Sequence, residues 1–153
     1  MKPETQTDII EIYHESRLPA PIIQRIVDIL DNLSERYAGM VEFRTRNDKH
    51  EILHSGSKKY FTFAKLDGKK KPKVIFAGAM EKGPGGVLCP AIRVRAGNGK
   101  LFNIPDKYKF PFEGERKPGW TNIILSEMTV LLLEEILTSE IDEYFGALER
   151  ISI

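Results

Sequence analysis

The chain has 153 residues, of which 41% are hydrophobic and 29% charged, with a net charge of +1. That is one domain's length with an ordinary globular balance, which excludes a disordered chain and a core too small to hold without disulfides or metals. A lone cysteine, Cys89 in the apolar stretch GVLCPAI, excludes an internal disulfide and reads as a buried thiol.

The opening MKPETQTDIIEIYHE is polar and acidic, unlike a signal peptide, and the apolar run VLLL is far too short to span a bilayer. A soluble, cytoplasmic protein without a membrane contact is expected. TDIIEIYHES predicts a short helix with Ile9, Ile10 and Tyr13 on one side and Thr7 as its N-cap. Pro19 and Pro21 break the chain and start a second helix. That helix runs from Pro21 to about Tyr37, with Ile22, Ile23, Ile26, Ile29, Leu30 and Leu33 at helical spacing, and Gly39 ends it.

From about 41 to 125 the pattern is that of strands. VEFRTR alternates; KKYFTFAKL and PKVIFAGAM are apolar runs on either side of an Asp-Gly turn. AIRVRA and KLFNI flank GNG, which predicts a second hairpin with Asn98 and Gly99 in the turn. TNIILS is the expected last strand. A long helix then follows, capped by Ser126, with Leu133, Ile136, Leu137, Ile141, Tyr144, Phe145 and Leu148 as its apolar stripe. The fold expected is therefore a single α+β domain over 1–153. It has two N-terminal helices, a mostly antiparallel sheet of about five to six strands, and one long C-terminal helix packed on the sheet.

Charge is segregated along this order. Residues 1–36 carry net −3, residues 37–121 net +10, and residues 122–153 net −6. A basic sheet bracketed by acidic helices has two consequences to separate. Either the charges neutralise one another internally, or the basic middle is a patch for an anionic partner. Period-two alternation puts Arg44 and Arg46 opposite Val41, Phe43 and Thr45, and Arg93 and Arg95 opposite Ile92 and Val94. Two strands thus carry paired arginines opposite an apolar face. Guanidinium forks suit phosphate or carboxylate, unless carboxylates such as Glu42 engage them. Lys58, Lys59, Lys69, Lys71 and Lys73 add non-specific attraction around the first hairpin. The stretch DKYKFPFEGERKPGW interleaves Lys107, Lys109, Arg116 and Lys117 with Tyr108, Phe110, Phe112 and Trp120. Exposed rings there, Tyr108, Phe110 or Trp120, could stack on bases; buried ones would anchor the loop to the core. EKGPGG and AGNGK match neither a P-loop nor a dinucleotide fingerprint, so no nucleotide cofactor is expected.

HEILH, residues 50–54, resembles the zinc motif of zincin metallopeptidases. The resemblance covers five residues. It implies His50 and His54 as zinc ligands and Glu51 as the base that activates water. The polar approach RNDK and the Ser55-Gly56-Ser57 exit leave room for about two turns of helix, and no third ligand is marked. His50 or His54 acting as general acid or base of a metal-independent nuclease has equally little around it. No catalytic residue, metal or cofactor is therefore assigned. The reading reached is a non-enzymatic binding module for an anionic partner, nucleic acid first. A protein-interaction module, acting through the acidic C-terminal helix or the aromatic loop on a partner or a second copy, is the alternative, and a small zinc hydrolase comes last.

Overall fold

The computed structural model describes residues 1–46, 60–66, 73–95, 99–112 and 119–152. Among these residues three helices, α1 (Pro3–Ile12), α2 (Ala20–Arg36) and α3 (Glu127–Ser152), accompany six strands. The strands are β1 (Val41–Arg46), β2 (Tyr60–Lys65), β3 (Val74–Lys82), β4 (Leu88–Arg95), β5 (Lys109–Pro111) and β6 (Trp120–Ile124). They form one sheet in the order β1-β2-β3-β4-β6-β5, and every pairing is antiparallel. This is the α+β architecture that the patterning predicts. No helix among the described residues is long and apolar enough to cross a membrane.

Three local readings change. The first helix starts at Pro3, whose fixed φ suits a helix's first turn, so Thr7 lies inside it and its hydroxyl donates to the Pro3 carbonyl (3.1 Å). KLFNI is not a strand. Gly99–Asn103 is a 3-10 turn that buries Leu101, and β4 pairs instead with β6. A short apolar run cannot be told from a buried turn by periodicity alone. The partner at the sheet's far edge is β5, a three-residue strand inside the aromatic and basic stretch. Cys89 is half-buried rather than buried.

The helices are built as their sequences dictate. Ile23, Ile26, Val27, Leu30 and Leu33 form the buried stripe of α2. At the start of α3, Ser126 Oγ accepts from the Thr129 amide (3.1 Å) and Thr129 Oγ1 accepts from the Ser126 amide (2.8 Å). This is a reciprocal capping box with Thr in the place usually held by Glu or Gln. α3 then buries Val130, Leu133, Leu137 and Ile141. Polar contacts tie α2 to α3. Arg36 meets Glu134 (3.5 Å) and donates to Thr138 (3.2 Å), and the Tyr37 hydroxyl donates to Asp142 (2.7 Å). Burial, with the Asp142 carboxylate second, pushes the Tyr37 phenol up to about 12, so it stays a donor at physiological pH.

The core lies between these helices and one face of the sheet. Phe43, Phe61, Phe63 and Phe76 share that face across β1, β2 and β3; Phe63 stacks on Phe76 at 4.8 Å and Phe43 on Phe61 at 5.2 Å. Tyr13, just past α1, meets Phe61 edge-on and donates from its hydroxyl to the Ala91 carbonyl (2.8 Å). Gly78 makes the space for this: a Cβ there would collide with both the Phe61 ring and the Tyr13 hydroxyl. Both neighbours are fully buried, so neither can yield cheaply. Gly78→Ala is therefore expected to lower unfolding stability by about 1–3 kcal/mol, the usual cost of overpacking a core. Urea titration followed by circular dichroism reads this directly, and an unchanged midpoint would refute the packing account.

Candidate anion and nucleic-acid interface

All the apolar residues that alternate with the strand arginines face the helices, so the arginines fall on the other face. The register places Arg44 opposite Thr62, Thr62 opposite Ala77, Ala77 opposite Arg93, and Arg93 opposite Asn122. Residues opposite one another in a sheet share a face, so Arg44 and Arg93 lie in one transverse row. They are not neighbours. Two strands separate β1 from β4, and three strand spacings put them roughly 14 Å apart. Arg95 follows on the same face opposite Trp120, and Arg46 holds the position opposite Tyr60.

The middle of this helix-free face is not an open surface. Thr62, Ala77, Ala91 and Asn122 are at most 3% exposed. Large side chains fold across the β4–β6 side. The Arg93 guanidinium carbon sits 3.9 Å from the centroid of the Phe112 ring and 6.0 Å from that of Trp120. Arg95 lies 5.3 Å from Trp120 and 5.2 Å from Tyr144 of α3. Cation–π contacts of this kind contribute about 0.5–2 kcal/mol each and fix the planes of both partners.

The two arginine strands are used differently. Arg44 is paired with Glu42 on its own strand (2.7 Å), as its sequence neighbourhood allows, and its side chain is 11% exposed. Arg93 has ring contacts only: among the described residues none accepts a hydrogen bond from its guanidinium and none forms an ion pair with it. Burial lowers its pKa from the ordinary value, while the Glu81 charge opposes that shift. Glu81 lies on the same face of β3; burial raises its carboxyl above the ordinary value, and the Arg93 charge offsets part of the rise. Two buried oxygens in the row, Thr62 Oγ1 and Asn122 Oδ1, have no hydrogen-bond partner among the described residues. Each such group costs roughly 1–3 kcal/mol if nothing satisfies it.

The remaining sequence-derived residues divide. Lys109 pairs in register with Ile123, on the core face; its amine donates to the Leu101 carbonyl (3.2 Å) and meets Asp106 (3.2 Å). Tyr108 packs against the core, whereas Phe110, the register partner of Asn122, is buried on the arginine face. Lys107 is exposed and lies 5.1 Å over the Tyr108 ring; Lys73 is exposed. Lys58, Lys59, Lys69 and Lys71, the HEILH motif and the Arg116–Lys117 pair lie outside the described residues. Among the described residues, no group of three or more His, Cys, Asp or Glu could hold a metal ion. The charged helices engage the sheet side as well: Lys100 of the 3-10 turn meets Glu135 (2.6 Å), and buried Glu140 accepts from the Arg95 amide (3.1 Å).

Phe112, Asn122, Thr62 and Glu81 belong to this face but do not stand out in the sequence. Phe112 sits in a loop-like context, and the other three lie in mostly apolar strands. The one available signal is period two: once Ile123 is placed inward, Asn122 must point to the arginine side.

No family model, curated protein or solved structure matches this chain.

Glu81 gives the site a measurable pH signature. A carboxyl whose folded pKa is raised loses stability as pH rises from the ordinary value of 4.5 through the folded pKa, because the native state then holds more protons than the unfolded chain. Glu81→Gln is therefore expected to be more stable than the parent at pH 7. The advantage should fade as pH falls towards 4.5 and below. Thermal melts of both proteins from pH 4 to pH 8 read this, and a gap that widens on acidification would contradict the burial account.

Proposed function

We propose that the helix-free face of the sheet binds single-stranded nucleic acid. The observation that carries this reading is the stack of Arg93 and Arg95 with Phe112 and Trp120, on the same face as Arg44. Guanidinium groups supply attraction for phosphates, and aromatic faces accept unpaired bases. A duplex keeps its bases stacked inside, so rings on a sheet would have little to hold there. The net +10 of residues 37–121 adds long-range attraction, with Lys73 and Lys107 exposed at its margins. The internal pairing of Arg44 and Lys109 leaves Arg93, Arg95 and Trp120 as the central contacts.

Trp120 is the only tryptophan in the chain, so intrinsic fluorescence reports on this site alone. Titration with a single-stranded oligonucleotide should quench or shift its emission. Affinity should fall steeply as salt rises, since each phosphate contact releases counterions. Replacing Trp120 with Ala should weaken binding by about 1–3 kcal/mol, the usual worth of one base–aromatic stack. No binding even at low salt, by fluorescence or by anisotropy of a labelled strand, would rule the function out.

A protein partner is a second reading, favoured by a different observation. Leu131 on α3 is 73% exposed and Phe102 in the 3-10 turn is 89% exposed. The Lys100–Glu135 ion pair joins the two elements, and an open groove of about 620 Å³ lined by Leu131, Glu134, Glu135 and Asp142 runs alongside. Self-association through these residues would give a concentration-dependent sedimentation coefficient that Phe102→Ser abolishes. A single monomeric species at all concentrations would exclude a second copy as the occupant.

A further inference from the structure

We infer that Arg93 and Asn122 together read one base by its hydrogen-bonding edge, with guanine preferred. This rests on the single-strand binding proposed above and gives these two side chains a different job from phosphate attraction. The residues are register partners on β4 and β6, so their Cβ atoms lie about 5 Å apart on one face. Among the described residues, Arg93 is held by ring contacts and no hydrogen bond. A guanidinium stacked on an aromatic keeps its N–H edge available for acceptors in its own plane. It can also shift without breaking a hydrogen bond to any described residue. Asn122 is 1% exposed, and its Oδ1 has no partner among the described residues.

The unmet acceptor decides the ligand chemistry. A phosphate offers acceptors only, so it could satisfy Arg93 but not the Asn122 oxygen. The row calls for adjacent acceptors with a donor beside them. Guanine presents N7 and O6 to an arginine fork, and its N1–H lies next to O6, where an amide oxygen can accept it. Adenine replaces the second acceptor with an amino donor, which confronts the guanidinium with like polarity. Cytosine can offer O2 and N3 with its amino group beside them, so its disadvantage is the smaller ring face it gives Phe112 and Trp120. Thymine or uracil has its two carbonyls on either side of N3–H and presents no adjacent pair. Rotating the Asn122 amide does not rescue adenine, because the conflict lies at the Arg93 fork. Phe112 and Trp120 flank the position and supply ring faces for the base.

The test uses the full chain and thymine oligonucleotides of about ten residues that carry one central guanine, adenine, cytosine or 7-deazaguanine. Anisotropy should show the guanine strand binding about tenfold more tightly than the adenine strand, within the range of one bidentate contact. 7-Deazaguanine, which lacks the N7 acceptor, should lose most of that advantage. Arg93→Lys keeps the charge but not the fork, so its affinities for the four strands should converge while its melting temperature stays near that of the parent. Equal affinity for all four strands, with binding and its salt dependence intact, would overturn base reading and leave single-strand binding standing. Guanine preference that survives in a folded Arg93→Lys protein would overturn the role of Arg93. Failure of every strand to bind at low salt would remove both this inference and the function it rests on.

Discussion

The hydroxyl of Tyr13 donates to the carbonyl of Ala91, 78 positions further along the chain and in the middle of the sheet. Burial, with the Glu81 charge second, holds the phenol well above its ordinary pKa, so the group stays neutral and stays a donor. The bond pins the end of α1 to β4 and depends on Gly78 leaving the Tyr13 and Phe61 side chains their space. With α1 placed there and α2 and α3 beside it, one face of the sheet is closed by helices. The other polar features of the protein follow from that commitment. Each inward Ile, Val or Phe on β1 and β4 sends an arginine to the opposite side.

The segregated charges are engaged differently on the two sides of the sheet. On the helix side, acidic groups of α3 do neutralise basic ones: Glu134 meets Arg36, Glu135 meets Lys100, and Glu140 accepts from the backbone at Arg95. On the far side the described arginines are held otherwise. There Arg44 takes Glu42 from its own strand, whereas Arg93 leans on rings and feels Glu81 only at longer range. Exposed ion pairs such as Lys100–Glu135 contribute little to stability because water screens them. The half-buried arginine on the aromatic stack is a different case. Among the described residues no hydrogen bond offsets its desolvation.

Much of the architecture is written locally. Helix α2 announces itself through Ile23, Ile26, Leu30 and Leu33, and the Ser126 cap of α3 is readable from its position before a long apolar stripe. The start of α1 is less readable, because Pro3 at a first turn competes with Thr7 as a cap and both are good local signals. KLFNI misleads for a related reason: Leu101 and Ile104 are buried, yet by a 3-10 turn rather than by a ladder. Within DKYKFPFEGERKPGW, composition shows rings and charges together. It does not show that Tyr108 turns to the core while Phe110, opposite Asn122, shares the arginine face with Phe112 and Trp120.

By itself, then, the sequence determined the helices, the alternation of β1 and β4, and the fact that their arginines stand opposite apolar side chains. These are properties of residues one to four apart, and the backbone's own periods of 2 and 3.6 enforce them. Only the tertiary structure decided that β4 pairs with β6 rather than with the next apolar run, and that two strands keep Arg44 and Arg93 apart. It also decided that Asn122, a polar residue in a mostly apolar strand, stands beside Arg93 with no partner for its oxygen among the described residues. Strand pairing joins residues far apart in the chain. It is settled by which faces can be buried together, and no local pattern carries that information.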